Sequence, residues 1–149
     1  MSTDDAVREL LLVMPRIIGR IKKIAVPEPL RSAELAPRHL SLLSLLLLDG
    51  PQTVSQLADR LELAPTTVSL IVGDLSRKGV LDRREDEDDR RRRIVDIASD
   101  VRPAVEAWLQ PGAAAWRTAL APLSPAEQRL VVDAFLAYEA ATGVTAEDG

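Results

Sequence analysis

Small hydroxyl side chains grouped in the middle of the chain are the first residues whose types and spacing could do chemistry. Thr66, Thr67 and Ser69 follow Pro65, and proline is common in the first turn of a helix. Backbone N–H groups and the dipole at a helix N-terminus attract phosphate, while hydroxyl groups reach phosphate or base edges. The group therefore predicts contact with a nucleic-acid duplex; the alternative is that Thr66 only caps the helix.

A run of charged residues from Arg83 to Arg93 is the second candidate. Residues 85–89 are all acidic, and residues 90–93 are all arginine. This composition is typical of a solvated hairpin tip whose charges neutralise one another, but its position directly after two short helices indicates a contact surface. The run does not fit a calcium-binding loop, because it lacks alternating ligands and a central glycine.

Catalysis and metal binding have no support in the residue types. The sequence contains no cysteine, which excludes disulfides, thiol catalysis and zinc–thiolate sites. Its one histidine, His39, has no partner carboxylate motif and is more typical of a surface or capping residue than of a ligand or base. With no nucleophile–base pair, no carboxylate pair and no phosphate-binding loop, the sequence predicts a protein that is not an enzyme and uses no metal or cofactor.

The distribution of charge matters more than its total. The 149 residues carry a formal net charge of −4, which on its own argues against a nucleic-acid partner. Residues 98–149 carry three basic and seven acidic side chains, however, and account for the whole excess. Residues 37–97, with ten basic and eleven acidic side chains, are near neutral, so the acidic total does not exclude DNA.

Hydropathy and composition predict a cytoplasmic protein of one domain. The richest apolar run, Leu42–Leu48, is far shorter than the roughly 18 to 20 residues that span a bilayer. The charged N-terminus does not have the layout of a signal peptide. Apolar residues make up 46% of the chain and charged residues 28%, which is ordinary for a globular protein without membrane contact.

The N-terminal part is predicted to be a long amphipathic helix over residues 4–25. Its apolar side chains recur in a near-heptad spacing, which favours packing against another helix. That helix belongs either to the core of the same chain or to a second subunit. Pro15 should kink the helix, and residues 26–36 should form a linker.

The middle of the chain is predicted to hold short helices followed by a hairpin. A leucine-rich helix from Pro37 to Asp49 has almost no polar face and should lie at the centre of the core. Thr53 and Gln56 have the spacing of a capping box, which begins the next helix. The elements that follow are helices over residues 54–61 and 65–78, the tight turn Glu62-Leu63-Ala64 between them, and strands over residues 80–84 and 92–98.

The C-terminal part is predicted to be helical again. Ser99 or Asp100 should cap a helix that kinks or breaks at Pro111-Gly112. Ser124 begins the last helix through a second capping box, and the tail after Thr142 should fray. The whole pattern predicts a fold that is mainly α with a small β-hairpin wing, namely a winged helix-turn-helix between terminal helices.

Residues 37–98 resemble the multiple-antibiotic-resistance regulator (MarR) family of bacterial transcription regulators. The stretches that carry the resemblance are Val54–Leu61, Pro65–Ser69, Leu75–Leu81 and Arg83–Arg91, the last with the Asp-x-Arg signature of the family's wing. The order of elements matches over nearly the whole chain. The resemblance implies a single domain in which residues 4–25 and 99–142 form dimerisation helices and residues 37–98 form the DNA-binding region.

The function that the resemblance implies is that of a homodimer on pseudo-palindromic duplex DNA, usually a repressor that a small ligand releases. Carried over by position, Pro65–Leu70 would enter the major groove, and Arg91, held by Asp89, would reach the minor groove. A narrow minor groove concentrates negative potential and favours arginine. The DNA-binding residues so implied are Pro65, Thr66, Thr67, Ser69, Leu70, Arg77, Lys78, Arg84, Asp89, Arg90 and Arg91.

Four residues depart from the family's pattern. Leu70 and Asp74 stand where arginine is frequent, which leaves the exposed face of the second short helix nearly uncharged before Arg77. Glu62 stands at a turn position where glycine is common, and a left-handed conformation there costs a non-glycine residue roughly 1 kcal/mol. Val101 replaces the glycine that often follows the wing.

The effector that the resemblance implies is a small aromatic or phenolic molecule, and the sequence assigns no residue to its binding. Trp108 and Trp116 should share one helix face and are more typical of a core or an interface than of a pocket wall. The alternative function is a winged-helix module that binds a protein and not DNA. The acidic composition and the uncharged helix favour that alternative.

Overall fold

The computed structural model describes residues 1–143, which form α-helices, one 3₁₀ helix and three short strands. The helices are α1 (Thr3–Lys22), α2 (Pro37–Asp49), α3 (Val54–Leu61), α4 (Pro65–Arg77), α5 (Arg102–Leu120) and α6 (Pro125–Ala141), and the strands are β1 (Gln52–Thr53), β2 (Leu81–Glu85) and β3 (Arg93–Ile97). The predicted fold class, mainly α with a small β wing, is confirmed. The predicted fraying after Thr142 falls mainly on residues 144–149, which lie outside the described part.

Helix α1 begins at a capping box formed by Ser2 and Asp5. The Ser2 hydroxyl accepts a hydrogen bond from the Asp5 N–H at 3.1 Å, and the Asp5 carboxylate accepts one from the Ser2 N–H at 2.9 Å. Pro15 lies inside the helix without ending it, and the helix stops at Lys22, three residues before the predicted end. None of its residues is buried.

The segment predicted as a linker contributes to the core instead. Residues Leu30–Ala33 form a 3₁₀ helix, and the side chains of Leu30 and Ala33 are buried. The expectation of a plain linker over residues 26–36 is therefore wrong at these positions. The segment folds in this way because its two apolar side chains cover the same core that α2 and α4 enclose.

Helix α2 has the predicted bounds, and three of its leucines, Leu42, Leu43 and Leu46, have no exposed surface. Leu48 at its end is 79% exposed, so the expectation that the helix is buried nearly all round is wrong there. His39 is buried, and its Nδ1 accepts a hydrogen bond from the Ala36 N–H at 2.9 Å. The prediction of a capping role is therefore confirmed, whereas a surface position is wrong.

The helix-turn-helix follows the sequence signals closely. Thr53 Oγ1 accepts from the Gln56 N–H at 3.1 Å and Gln56 Oε1 accepts from the Thr53 N–H at 2.9 Å, which confirms the capping box. Glu62 ends α3 in a left-handed conformation with φ of 55°, as the turn position predicts. Leu57 and Ala58 of α3 are buried, and the small Ala58 allows α4 to approach closely.

The wing is the outer part of a three-stranded antiparallel sheet with the order β1-β3-β2. The hairpin of β2 and β3 was predicted, but β1 was not, because two residues, the second of them the cap of α3, are too few to show strand periodicity. Gln52 pairs with Val95 and Thr53 with Ile94. Strand β3 therefore has a neighbour on both edges at its middle.

Helix α5 differs from the prediction at two points. Its N-terminal cap is Val101, without a side-chain hydrogen bond, so neither Ser99 nor Asp100 caps it. The helix also continues through Pro111 and Gly112, so of the two predicted outcomes, a kink or a break, the break is wrong. Proline removes one hydrogen bond of the helix, and the alanines at residues 113–115 are strong helix formers that carry it onward. Helix α6 begins after Ser124 as predicted.

Burial is concentrated in the middle of the chain. In residues 1–143, the buried apolar side chains all fall between Leu30 and Val105, and α6, like α1, has no buried residue. We call residues 30–105 the winged lobe. Within the described part, no helix combines the length and hydropathy that crossing a bilayer requires.

Candidate nucleic-acid interface

The first two turns of α4 present the hydroxyl cluster to solvent. Pro65, Thr66, Ser69 and Leu70 are exposed, and Thr67 is half-buried. The cap of α4 is Ala64, so the alternative that Thr66 only caps the helix is wrong. No side chain caps the helix, which leaves backbone N–H groups of the first turn open to an acceptor from outside.

The second half of α4 is organised around one carboxylate. Asp74 pairs with Lys78 Nζ at 3.2 Å and with an Arg77 guanidinium nitrogen at 3.7 Å. The Arg77 side chain lies back along the helix, since a Cβ built on Gly73 would meet Arg77 Nη1 at 3.4 Å. The three-residue and four-residue spacings of these charges are the sequence signal that could have identified Asp74 as their common partner.

Lys78 has a structural task that the sequence did not reveal. Its ammonium donates a hydrogen bond to the Ala33 carbonyl at 2.9 Å, across 45 residues of sequence. This bond ties the C-terminal end of α4 to the 3₁₀ helix before α2. Of the predicted contact residues, Lys78 is therefore the one whose charge is already engaged within the lobe on two sides.

The tip of the wing holds an arginine in one orientation. Arg91 Nε donates to Asp89 Oδ1 at 3.1 Å, and Arg91 Nη2 donates to Asp89 Oδ2 at 3.2 Å. The Arg91 backbone N–H donates to the same Oδ1 at 3.1 Å. The Arg91 side chain is nevertheless 91% exposed. A bidentate contact of this kind presents the guanidinium to an outside partner without leaving it free to rotate.

The carboxylate of this pair stays ionised. Hydrogen bonds from Arg91, first from its side chain and then from its backbone, hold the pKa of Asp89 below its ordinary value. A carboxylate with a lowered pKa keeps its charge above that pKa and loses it only as the pH falls through it. Asp89 therefore keeps its charge throughout the neutral range.

The other arginines of the wing differ in their surroundings. Arg93 pairs with Glu85 at 3.2 Å, directly across the two strands. Arg84 on β2 and Arg90 at the tip are exposed. Part of the charge run is thus neutralised by pairs within the hairpin, as the solvated-tip interpretation expects. The remaining basic groups lie on the outside of the wing.

The wing and α4 belong to one packed unit, because α4 contacts β2 and the core side chains of both are shared. Asp96 of β3 also accepts a hydrogen bond from Arg102 of α5 at 2.9 Å. This bond fixes the wing's inner end to the helix that leaves the lobe. No local pattern in the sequence predicts this bond, since the two residues belong to different elements.

Helices α1 and α6 carry large apolar side chains on exposed surface. On α1 these are Val7, Leu10, Leu11, Leu12, Ile17, Ile18 and Ile21, and on α6 they are Leu130, Val132, Phe135, Leu136 and Tyr138. Trp116 of α5 is also half-exposed and meets Phe135 edge to face, with ring centroids 5.5 Å apart. Trp108 instead packs against the core of the lobe. The two tryptophans therefore have different roles.

A cleft of about 840 Å³ lies between the C-terminal end of α6 and the lobe. Arg38 and Arg60 contribute positive charge to its wall, Glu62 and Glu139 contribute negative charge, and Leu61, Leu63 and Leu136 contribute apolar surface. Cavities of this size and mixed lining accommodate small organic molecules.

Residues 34–92 match the family model described as the MarR family, and this range contains the helix-turn-helix and most of the wing. The chain is also 29% identical over 100 residues to the HTH-type transcriptional repressor MdtR of Bacillus subtilis. The match covers 65% of this chain and 61% of that protein. The chain thus spans about three-fifths of the length of this curated relative.

Solved structures show the same fold over nearly the whole chain. The transcriptional regulator PcaV of Streptomyces coelicolor, in complex with its natural ligand, has a TM-score of 0.57 and 21% identity, covering 91% of this chain and 92% of that one. A mutant of MepR from S. aureus, bound to an oligodeoxyribonucleotide, has a TM-score of 0.55 and 22% identity, covering 88% of this chain and 96% of that one.

The helix-turn-helix followed by a charged wing defines the class of winged-helix transcription regulators. Within that class, residues 34–92 of this chain are similar to the MarR family. The relative MdtR and the ligand-bound PcaV are described as a transcriptional repressor and a transcriptional regulator.

Proposed function

We propose that this protein is a sequence-specific DNA-binding transcription regulator that acts as a homodimer on pseudo-palindromic duplex DNA. The observation that carries the proposal is the oriented and exposed guanidinium of Arg91 at the tip of the wing. Such a group fits the narrow, strongly negative minor groove of a duplex. In this proposal Arg90 and Arg84 add contacts to the sugar–phosphate backbone.

Helix α4 supplies the second contact in this proposal. Its uncapped N-terminus and the exposed hydroxyls of Thr66 and Ser69 suit phosphate oxygens and base edges in the major groove. Thr67 takes a smaller part because it is half-buried. Arg77 and Lys78 lie at the far end of α4 and act mainly on the general electrostatic attraction, since both pair with Asp74.

The homodimer is supported by the exposed apolar surface of α1 and α6. Apolar faces of this extent are rarely left in water by a monomer. Two copies would place two α4 helices in successive major grooves, about one helical turn apart. Repression is supported by the name of the relative MdtR, a transcriptional repressor.

Release by a small effector is the last part of the proposal. The relative PcaV was solved with its natural ligand. In this chain the cleft beside α6 combines apolar side chains with two arginines and two glutamates, a lining that suits a small aromatic or phenolic molecule. A ligand there would touch both the lobe and α6, so it could change the angle between them.

The dependence of DNA affinity on salt tests the proposal. A dimer that neutralises roughly 6 to 10 phosphates should lose about 10³- to 10⁵-fold in affinity between 50 and 200 mM salt. The measurement is fluorescence anisotropy with genomic duplexes, including the protein's own promoter region. If no duplex binds in a salt-sensitive manner, DNA binding is wrong and the protein-binding module becomes the better account.

Replacement of the wing arginine is the sharper test. Arg91→Ala should weaken duplex binding by about tenfold or more, because each dimer loses two oriented guanidinium groups. The matched control is Arg31→Ala, which removes an exposed arginine that pairs with Glu28 outside the wing. Equal affinities of the two variants would contradict the role of the wing.

A further inference from the structure

The outward face of α4 is uncharged over its first two turns. Thr66 and Ser69 offer hydroxyls, and between them and the end of the helix stands Leu70, whose surface is 75% exposed. The core-facing side of the helix is supplied by other residues, namely Val68, Ile71, Val72 and Leu75, all of which are buried. Leu70 therefore contributes nothing to the core of the lobe.

The nearest charges on α4 are paired with one another. Asp74, one turn further along, forms ion pairs with Lys78 and Arg77, and these two positive charges balance its negative charge. The Arg77 guanidinium lies beside Gly73, where an added Cβ would come within 3.4 Å of Nη1. The centre of the exposed face is thus an aliphatic side chain bordered by small hydroxyls.

An aliphatic side chain can read only one base in the major groove. Guanine, adenine and cytosine are recognised there through hydrogen bonds, which leucine can neither donate nor accept. Thymine alone presents a methyl group, and apolar side chains recognise it by contact. We infer that Leu70 is a specificity-determining residue that packs on thymine methyl groups, so that each half-site is read at thymine. This inference rests on the proposed DNA-binding function.

The expected effect follows from the burial of one methyl group, which changes affinity about fourfold. Two half-sites would give about 15-fold, because the dimer makes the contact twice. Each thymine replaced by deoxyuridine loses the methyl group and keeps its base pairing. Sequence and hydrogen-bonding pattern are therefore unchanged in this comparison.

The experiment begins with selection of bound duplexes from a randomised pool. The thymines of the selected half-sites are then replaced by deoxyuridine, and dissociation constants are measured at one fixed salt concentration. The wild-type protein should bind the deoxyuridine duplex about 15-fold more weakly than the thymine duplex. Leu70→Ala should bind the thymine duplex more weakly and no longer distinguish the two.

Leu48→Ala is the matched control, since Leu48 is as exposed as Leu70 but lies at the end of α2. This variant should keep the full preference for thymine. The inference is overturned if the wild type binds both duplexes equally, or if Leu70→Ala keeps the preference; either result leaves the proposed DNA binding standing. If no duplex is bound with salt dependence, both the proposed function and the inference are wrong.

Discussion

His39 is a residue whose surroundings change its acid–base behaviour. Burial, and secondarily the charge of Arg38, lower the pKa of His39 below its ordinary value of 6.5. Asp74 opposes this change and Lys78 adds to it. The neutral ring is also the form that the fold needs, because Nδ1 must accept the hydrogen bond from Ala36. Protonation of His39 therefore competes directly with the N-terminal cap of α2.

The pH dependence of stability follows from this lowered pKa. The unfolded chain binds a proton at His39 more tightly than the folded chain, so the free energy of unfolding should fall as the pH drops below about 6.5. His39→Gln keeps a side-chain acceptor and cannot titrate, so it should lose this slope. The measurement is urea denaturation at fixed protein concentration between pH 7.5 and 5.5, roughly the range above carboxylate titration. Equal slopes for the two proteins would contradict the assignment.

The sequence alone could foresee residue contacts only where they are local. Asp89 and Arg91 were predicted to pair, and they do, because a two-residue spacing in a tight turn leaves few alternatives. The hydrogen bond of Lys78 to Ala33 could not be foreseen, since it depends on how a distant 3₁₀ helix packs. The sequence predicts the same role for Lys78 as for its neighbour Arg77, and only the fold distinguishes the two.

At the scale of elements, the caps of the helices carried most of the predictive information. The Thr53 and Ser124 capping boxes fixed the starts of α3 and α6 within a residue. Pro111-Gly112 predicted a kink or a break, and the helix is not broken there, because strong helix formers follow these two residues. Strand β1 could not be predicted from the sequence, since its two residues become a strand only through pairing with β3.

The continuity of α5 makes a prediction about Gly112. A Cβ added there meets no atom within 4 Å, and the helical conformation suits alanine better than glycine. Gly112→Ala should therefore raise the free energy of unfolding by roughly 0.5–1 kcal/mol. Urea denaturation at fixed concentration measures this change.

Gly79→Ala is the matched control for Gly112→Ala. Gly79 has a φ of +77°, in the left-handed region, where a side chain is strained. This variant should lower the free energy of unfolding by about 1 kcal/mol. A loss of stability in both variants would indicate that α5 does not run straight through Gly112.

At the scale of the whole molecule, the chain divides into a lobe with its own core and two helices without one. Within the described residues, α1 and α6 bury nothing completely, although both carry long rows of apolar side chains. In proteins most of the stability of a helix comes from the packing of its apolar face and not from helix propensity. The proposed homodimer supplies that packing.

A charge placed on α6 should separate the subunits of that dimer. Leu130 is 68% exposed, and Leu130→Glu would bury a carboxylate twice in the interface. Loss of two leucine contacts alone costs about 3–6 kcal/mol, which raises the dissociation constant at least 100-fold. Analytical ultracentrifugation should show a dimer for the wild type and a monomer for this variant.

Leu48→Glu provides the control for Leu130→Glu, because Leu48 is exposed at the end of α2 and lies outside the proposed interface. It should remain a dimer. An unchanged mass for Leu130→Glu would exclude α6 from the interface and leave its apolar face to another partner.

The pairing of β3 on both edges has a consequence for the timescales on which the wing moves. Val95 is fully buried and pairs with Gln52 on one side and Arg83 on the other, so its amide should exchange with solvent only when the lobe opens as a whole. The tip between the two strands, residues 86–92, is held by a few local hydrogen bonds, and its amides should exchange through small local fluctuations. The base of the wing is therefore expected to stay rigid while its tip moves locally, so that the tip can adjust to the width of a groove without unfolding of the lobe.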